Sequence, residues 1–203
     1  DNDKVLGFES KKKCHLNVNI EGGLLHRAFS IFLFNSEGKL LLQQRAADKI
    51  TFPLYWTNTV CSHPLQFLEG EVPAKEQPEM DEKEAIGVKR AAKRKLKHEL
   101  GIVLDNEERF HYLTRILYKA PSCDVWGEHE IDYVLFLQAD VELDPSPNEV
   151  KDTKYVTQAE LKEMFANKER DGIKMTPWFQ LISENFLYGW WDQLDTIKSV
   201  HDP

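Results

Sequence analysis

The chain has 203 residues, of which 41% are hydrophobic and 30% are charged. This composition excludes a disordered or collagen-like chain, and the length predicts one domain over residues 1–203. The 26 Lys and Arg against 34 Asp and Glu give a net charge of −8. That charge disfavours nucleic acid or an anionic membrane as a partner, because both need a basic field. No apolar run reaches about 18 residues, so we expect no membrane span.

The three cysteines, Cys14, Cys61 and Cys123, are too few for a disulfide framework, and their odd number favours a reducing compartment. We therefore expect a cytoplasmic protein. Plastid and peroxisomal locations stay open, because both ends of the chain resemble points of truncation. No repeated apolar stripe offers a surface to a partner, so we expect a monomer.

The first half of the chain predicts a β-hairpin followed by loops. Residues 24–35 mix apolar and β-favouring side chains, residues 35–38 are typical of a turn, and residues 39–46 predict the returning strand. Residues 51–64 predict a loop, a short strand and a second loop. Residues 65–82 are acidic and contain prolines, which predicts a surface insertion.

The second half begins with an amphipathic helix. Apolar residues recur every three or four positions from Glu84 to Leu100, and Gly101 is a typical C-terminal cap. Strands are predicted at 110–119 and 130–139, with a loop at 120–127 between them.

The C-terminal part predicts one more short strand and two helices. The strand is expected at Tyr155–Thr157, and Thr157 also caps a helix of about ten residues with Glu160 as its capping-box partner. Thr176 and Pro177 start an aromatic last helix. Strands mixed with helices, without regular βαβ alternation, predict an α+β domain with a mixed β-sheet.

Three histidines and two glutamates are candidate metal ligands. Each of His15, His26 and His63 alone is more often an ordinary surface or core residue. Glu128 and Glu130 lie two positions apart on a predicted strand and therefore share a face. Placing two carboxylates together costs free energy unless a cation or a proton lies between them. A solvated strand end is equally consistent with that spacing.

The remaining candidates are open to two interpretations. Cys61 and His63 are spaced as a nucleophile pair, but a free cysteine is more often a small buried hydrophobe. Glu99 occupies the last helical turn, where the dipole disfavours a carboxylate and hints at a nearby cation. A basic set is either a solvated face or a site for a phosphorylated small substrate, namely Lys11, Lys12, Lys13, Arg45 and Lys49.

Several separate strings resemble the type I isopentenyl-diphosphate isomerase family. They are WTNTVCSHP at residues 56–64, WGEHEIDY at residues 126–133 and TPWF at residues 176–179. The resemblance extends over residues 5–195 approximately, and the insertion is similar to that of the eukaryotic branch. It implies a Nudix-like α/β/α sandwich with a mixed β-sheet.

The resemblance also implies an activity. This is the isomerisation of isopentenyl diphosphate to dimethylallyl diphosphate in isoprenoid biosynthesis, by protonation and deprotonation through a tertiary carbocation. It assigns catalysis to Cys61, Glu130 and Tyr118, with Glu130 and Tyr118 as the proton donor and Cys61 on the opposite face. Which of Cys61 and Glu130 gives the first proton is not fixed by the sequence, and no flavin is expected.

Two further sets of residues follow from the same resemblance. The implied ligands of a divalent ion (Zn²⁺, Mn²⁺ or Mg²⁺) are His15, His26, His63, Glu128 and Glu130. Glu99 is implied to help bind a Mg²⁺ that bridges the diphosphate. The residues implied to contact substrate are Lys11, Arg45, Lys49, Lys95 and Trp178. Lys95 stands where the family usually has Arg, which keeps the charge but loses the bidentate fork.

Two alternative functions remain at this point. A Nudix-type pyrophosphohydrolase would share the fold, but Lys95 and His98 stand where such hydrolases usually have metal-binding glutamates. A catalytically inactive metal-binding interaction protein would bind the ion without isomerising an alkene.

Overall fold

The computed structural model describes residues 3–65 and 85–199. The surface insertion predicted at residues 65–82 therefore lies almost entirely outside the described residues. Within the described ranges, no helix combines the length and the apolar character needed to cross a membrane.

In the described part of the chain, seven strands form one mixed sheet. The strands are β1 (His26–Phe34), β2 (Leu40–Arg45), β3 (Trp56–Thr57), β4 (Val60–Ser62), β5 (His111–Pro121), β6 (Gly127–Gln138) and β7 (Val150–Val156). β1 runs parallel to β6 and antiparallel to β4, and β5 pairs with the other edge of β6. β2 pairs with β1, β3 and β7.

The helical segments of the described residues follow the same chain order. A π-helical turn at Ser183–Leu187 joins the last two helices, and 3₁₀ turns occur at Glu107–Arg109 and Leu194–Ser199. The α-helices are α1 (Lys11–His15), α2 (Asn17–Glu21), α3 (Ile86–Leu100), α4 (Gln158–Asn167), α5 (Pro177–Ile182) and α6 (Tyr188–Trp191).

Two hydrophobic cores cover the two faces of the sheet. Alternate residues of a strand point to opposite faces, so Phe29 and Ile31 of β1 pack in the core that contains α3. Phe32 and Phe34 pack in the other core, with Trp178 and the other apolar residues of α5. Helices therefore lie on both faces of the sheet, which confirms the predicted α+β class and its mixed sheet.

Several local predictions are confirmed. β1 and β2 form the predicted hairpin, and α3 ends at Gly101, whose φ of +71° suits glycine. Thr157 caps α4 in a capping box with Glu160, and α5 begins at Pro177 as predicted.

Other boundaries differ because tertiary pairing extends or divides the elements. β5 and β6 pair as far as Pro121 and Gly127, so the predicted loop at 120–127 shortens to residues 122–126. β7 begins at Val150 because it pairs along the length of β2, and Thr157 lies beyond it as the helix cap. The one short strand predicted within 51–64 is two strands, β3 and β4.

The short helices α1 and α2 are absent from the sequence-based prediction. Segments of five residues are too short to be helical on propensity alone. Here the Ser10 side chain caps α1, and the Asn17 side chain bonds the Cys123 carbonyl, which ties α2 to the β5–β6 connection. The predicted last helix is interrupted by the π-helical turn.

Gly127 is required for the close approach of α2 to the sheet. A Cβ there would lie 2.5 Å from Asn17 Oδ1 and 3.0 Å from the Ala120 carbonyl oxygen. We expect Gly127→Ala to lower the free energy of unfolding by about 1–3 kcal/mol, measured by urea denaturation.

Gly189 of α6 is the matched control, because a Cβ there would meet no atom within 4 Å. Gly189→Ala should leave stability unchanged or raise it by about 0.5–1 kcal/mol. Equal effects of the two substitutions would contradict the packing argument.

Candidate active site

The sheet brings the two predicted catalytic groups to one cavity from opposite edges of β1. Cys61 on β4 pairs with Ser30, and Glu130 on β6 pairs with His26. Both side chains line the same cavity, which encloses about 430 Å³ including its open mouth. The other predicted site residues that line it are Lys11, His15, Arg45, Lys49, His63, Lys95, Glu99, Tyr118, Glu128 and Trp178.

Three imidazoles and one carboxylate converge at one end of this cavity. His15 lies on α1, His26 on β1, His63 after β4 and Glu130 on β6, and one ligand atom of each lies within 4.8 Å of the others. Glu130 Oε1 is 2.9 Å from His63 Nε2, 3.1 Å from His26 Nε2 and 4.0 Å from His15 Nε2. His26 does not line the cavity itself, but it completes this cluster.

The chemistry of the cluster fits a divalent cation. His15 Nδ1 is 2.7 Å from the Lys11 carbonyl oxygen; a proton on Nδ1 would donate there and leave the Nε2 lone pair facing the cluster. Burial, then His26, lowers the pKa of His15 to about 4, and burial lowers the pKa of His63 to about 3. Neutral imidazoles with a carboxylate are ligands for a divalent metal.

Glu128, the fifth predicted ligand, lies outside this four-residue group. Its Oε2 is instead 2.8 Å from the Tyr118 hydroxyl, which also contacts Oε2 of Glu130. Tyr118 is directly across from Glu130 in the β5–β6 pairing. A hydroxyl has one proton to donate, so two short contacts to carboxyl oxygens require that one carboxyl be protonated.

The pKa values of the two carboxyls indicate where that proton resides. Burial, then the charge of Glu130, raises the pKa of Glu128 to about 7. Burial also opposes ionisation of Glu130, but hydrogen bonds from His26 and His63 hold its pKa well below the ordinary value. Glu128 is therefore the carboxyl of the pair that binds a proton more readily, and Tyr118 links it to Glu130.

The opposite wall of the cavity carries a protonated thiol. Burial, then the charge of Asp132, raises the pKa of Cys61 to about 12. Its sulfur lies 3.0 Å from Trp178 Nε1 and 3.7 Å from Ser30 Oγ.

Cationic side chains line the same cavity and suit an anion. Burial, then the charges of Lys49 and Lys95, lowers the pKa of Lys11. Lys95 Nζ lies 2.9 Å from Glu99 Oε1, on the wall formed by α3. Four cationic side chains around one cavity favour a phosphorylated ligand, and they are Lys11, Arg45, Lys49 and Lys95.

Sequence reasoning missed several residues of the cavity. Ser30, Thr51 and Asp132 also line it. The two-residue period that paired Glu128 with Glu130 extends to Asp132, so that signal was present in the sequence. Ser30 and Thr51 carry no comparable signal, because a hydroxyl on a strand or loop is common.

The fold and this site define the class of protein. The NUDIX domain model matches residues 24–179. A NUDIX hydrolase from Alicyclobacillus acidocaldarius has a TM-score of 0.61 at 8% identity, covering 88% of this chain and 98% of that one. A MutT protein from Methanosarcina mazei has a TM-score of 0.52 at 13% identity, covering 85% and 96%. The α/β/α sandwich is thus a Nudix fold, as expected.

Similarity to curated proteins identifies the family within this fold. Isopentenyl-diphosphate Delta-isomerase 1 of Bos taurus is 54% identical over 204 residues, covering all of this chain and 86% of that protein. The isomerase of Aspergillus fumigatus is 54% identical, and the match covers 97% of this chain and 71% of that protein. The isomerase of Clarkia breweri is 52% identical, and the match covers all of this chain and 70% of that protein. The chain belongs to the isopentenyl-diphosphate Delta-isomerase family.

The histidine cluster predicts metal binding that can be measured directly. We expect His63→Ala to weaken the binding of Zn²⁺ or Mn²⁺ by at least about 10-fold, by isothermal titration, because the ion loses a ligand. His98→Ala removes an exposed histidine outside the cluster and should leave the affinity unchanged. Equal affinities in the two variants would contradict the assignment of the cluster.

Glu149 supplies a pH-dependent prediction. Burial opposes its ionisation, but ion pairs with Lys49 and Lys95 lower the pKa of Glu149 to about 2. A carboxyl with a lowered folded-state pKa stabilises the protein above its unfolded pKa of about 4.3 and loses that contribution as the pH falls. We expect Glu149→Gln to lower the free energy of unfolding by about 1–2 kcal/mol at neutral pH, since the pairs are partly solvated.

That difference should shrink as the pH falls from about 4 towards about 2, measured by urea denaturation at each pH. Glu142→Gln, at an exposed position, is the control and should change little at any pH. A difference for Glu149→Gln that does not vary with pH would contradict the ion-pair explanation.

Proposed function

We propose that the protein isomerises isopentenyl diphosphate to dimethylallyl diphosphate. The observation that carries this proposal is the joint presence, around one cavity, of four cationic side chains, a thiol and a carboxyl–tyrosine cluster. Similarity to curated isomerases over 97–100% of this chain supports the same reaction. The substrate has one anionic end and one hydrocarbon end, and the cavity offers cations to the first and the Trp178 ring to the second.

The anionic end of the substrate would bind at the cationic side chains that line the cavity. Arg45 is held by hydrogen bonds to the Thr51 and Phe52 carbonyl oxygens, so its charge is fixed before substrate arrives. Glu99 provides one buried carboxylate beside Lys95, and one carboxylate with substrate phosphates is a typical Mg²⁺ environment. Binding the diphosphate there would hold the alkene in place deeper in the cavity.

The metal cluster would orient the acidic wall. His15, His26, His63 and Glu130 would hold the ion, and the three imidazoles favour Zn²⁺ or Mn²⁺ over Mg²⁺. When bound, a divalent ion withdraws charge from Glu130 and fixes its orientation. Glu128 would not bind the ion; its carboxyl contacts the Tyr118 hydroxyl, which also contacts Glu130.

The alkene is a weak base, and its protonation at C4 gives a tertiary carbocation. We assign the donor to Glu130 with Tyr118. Glu130 is ionised at rest, so the proton would come from Glu128 and pass through the Tyr118 hydroxyl, which contacts both carboxyls. Cys61 faces the intermediate from the opposite wall and takes the C2 proton. This step requires the thiolate, so Cys61 would first release its S–H proton to solvent through the open cavity, before the substrate fills it. The indole N–H of Trp178, whose nitrogen lies 3.0 Å from the sulfur, would stabilise that thiolate.

The aromatic side chains beside the thiol would stabilise the intermediate. Trp178 is buried, and its ring lies 5.9 Å from that of Tyr118, centroid to centroid. The face of such a ring stabilises a cation by about 0.5–2 kcal/mol. Exclusion of water by these side chains would also protect the carbocation from hydration.

Pyrophosphohydrolysis is disfavoured by the composition of α3. Its fifteen residues contain one acidic side chain, Glu99, and carry Lys95 and His98 where hydrolases of this fold usually have glutamates. A single carboxylate does not supply the set that activates water between metal ions.

The proposal predicts the behaviour of two variants and a control. With Mg²⁺, isopentenyl diphosphate and no flavin, the protein should form dimethylallyl diphosphate. Cys61→Ala and Glu130→Gln should each lower kcat by about 10²–10⁴-fold while the fold persists, because each removes a proton-transfer group. Cys123→Ala, at an exposed free cysteine, should retain activity. Near-normal turnover in both site variants would overturn the assignment.

A further inference from the structure

Asn58 is a fully buried amide that contacts two residues of the cavity without lining it. It lies in the turn between β3 and β4, three residues before Cys61. Neither metal binding nor the proposed proton transfers use it. A polar side chain buried this completely is costly unless its hydrogen bonds are satisfied, so its partners indicate its role.

The orientation of the Asn58 amide is determined by its neighbours. Nδ2 lies 3.0 Å from the Ile31 carbonyl oxygen and 3.2 Å from the Val60 carbonyl oxygen. Both partners are acceptors, so the donor end of the amide must face them. The carbonyl oxygen Oδ1 therefore faces the thiol.

Three donors converge on that oxygen. Oδ1 lies 2.9 Å from Thr57 Oγ1, 3.0 Å from Cys61 Sγ and 3.1 Å from Trp178 Nε1. Trp178 Nε1 is also 3.0 Å from the sulfur, so the oxygen, the sulfur and the indole nitrogen form a closed triangle. Thr57 is held in turn by Thr176, 2.7 Å away at the start of α5.

We propose that Asn58 is a positioning residue, whose single amide oxygen orients both the Cys61 thiol and the Trp178 ring. The S–H bond points at Oδ1, which fixes the sulfur against the cavity wall. The indole N–H is shared between the same oxygen, 3.1 Å away, and the sulfur, 3.0 Å away, which fixes the ring beside the sulfur. This role rests on the proposed function, since it matters for turnover only if Cys61 and Trp178 face the substrate.

Asn58→Leu tests the proposal, because it is close in size and removes the acceptor. The Raman S–H stretch of Cys61, isolated by subtracting the spectrum of a matched Cys61→Ala protein, should shift to higher wavenumber as the hydrogen bond is lost. In the isomerase assay kcat should fall by about 10–100-fold with KM within about 3-fold, because orientation is lost while the diphosphate contacts remain.

Thr59→Val is the matched control in the same turn. Thr59 is also fully buried, and its hydroxyl bonds the Leu41 carbonyl and the Leu33 amide rather than Cys61 or Trp178. The Thr59→Val protein should be less stable than the parent. Its S–H band should stay in place, and its kcat should remain within about 3-fold of the parent value. Asn58→Asp keeps an oxygen acceptor for the thiol but turns a second oxygen towards the Ile31 and Val60 carbonyl oxygens, so it should lose stability. Its S–H band should lie no higher in wavenumber than that of the parent, because the acceptor is retained.

Three results would overturn the proposal. One is an unshifted S–H band in Asn58→Leu, and another is a kcat in Asn58→Leu no lower than in Thr59→Val. If Asn58→Leu does not fold, an S–H band shifted to higher wavenumber in Asn58→Asp has the same force. The Raman readout is independent of turnover, so a parent protein that lacks isomerase activity would refute the proposed function and leave the Asn58–Cys61 contact still tested.

Discussion

The site is organised by the burial of three carboxyl groups on one face of β6. Glu128, Glu130 and Asp132 are each nearly inaccessible to water, and uncompensated carboxylates at such positions would be strongly destabilising. Imidazoles surround Glu130, the Tyr118 hydroxyl lies between Glu130 and Glu128, and the Ser30 hydroxyl donates to Asp132 at 2.7 Å. The need to satisfy these three groups explains why α1, β1, β4 and β5 all meet at this point.

The same arrangement gathers three kinds of group around one cavity. Cationic side chains, the carboxyls with Tyr118, and the Cys61 thiol all line it, and Trp178 joins it to the hydrophobic core of α5. A substrate with a diphosphate at one end and a five-carbon alkene at the other would use all three. The proposed reaction needs two proton-transfer groups on opposite sides, and the pairing of β4 and β6 with opposite edges of β1 puts Cys61 and Glu130 in such positions.

Local features were predictable where short-range chemistry decides them. The Gly101 cap, the capping box of Thr157 and the hairpin after β1 follow from neighbouring residues, and resemblance to a family supplied the site residues. The helices α1 and α2 were not predictable, because they depend on tertiary contacts such as Asn17 with Cys123. The contacts of Tyr118 with Glu128 and Glu130, and those of Asn58 with Cys61 and Trp178, depend on distances between separate elements of the fold. A single sequence gives no information on such distances. The monomeric state and the cytoplasmic location stay predictions.

The central claim is that two walls of one cavity exchange protons with the substrate from opposite sides. The most direct test is to convert isopentenyl diphosphate in D₂O and to locate deuterium in the product by NMR. The account predicts one deuterium in the methyl group derived from C4 and loss of hydrogen from a single prochiral position at C2, on the face opposite the addition. A product without solvent deuterium, or loss of either C2 hydrogen at random, would contradict it.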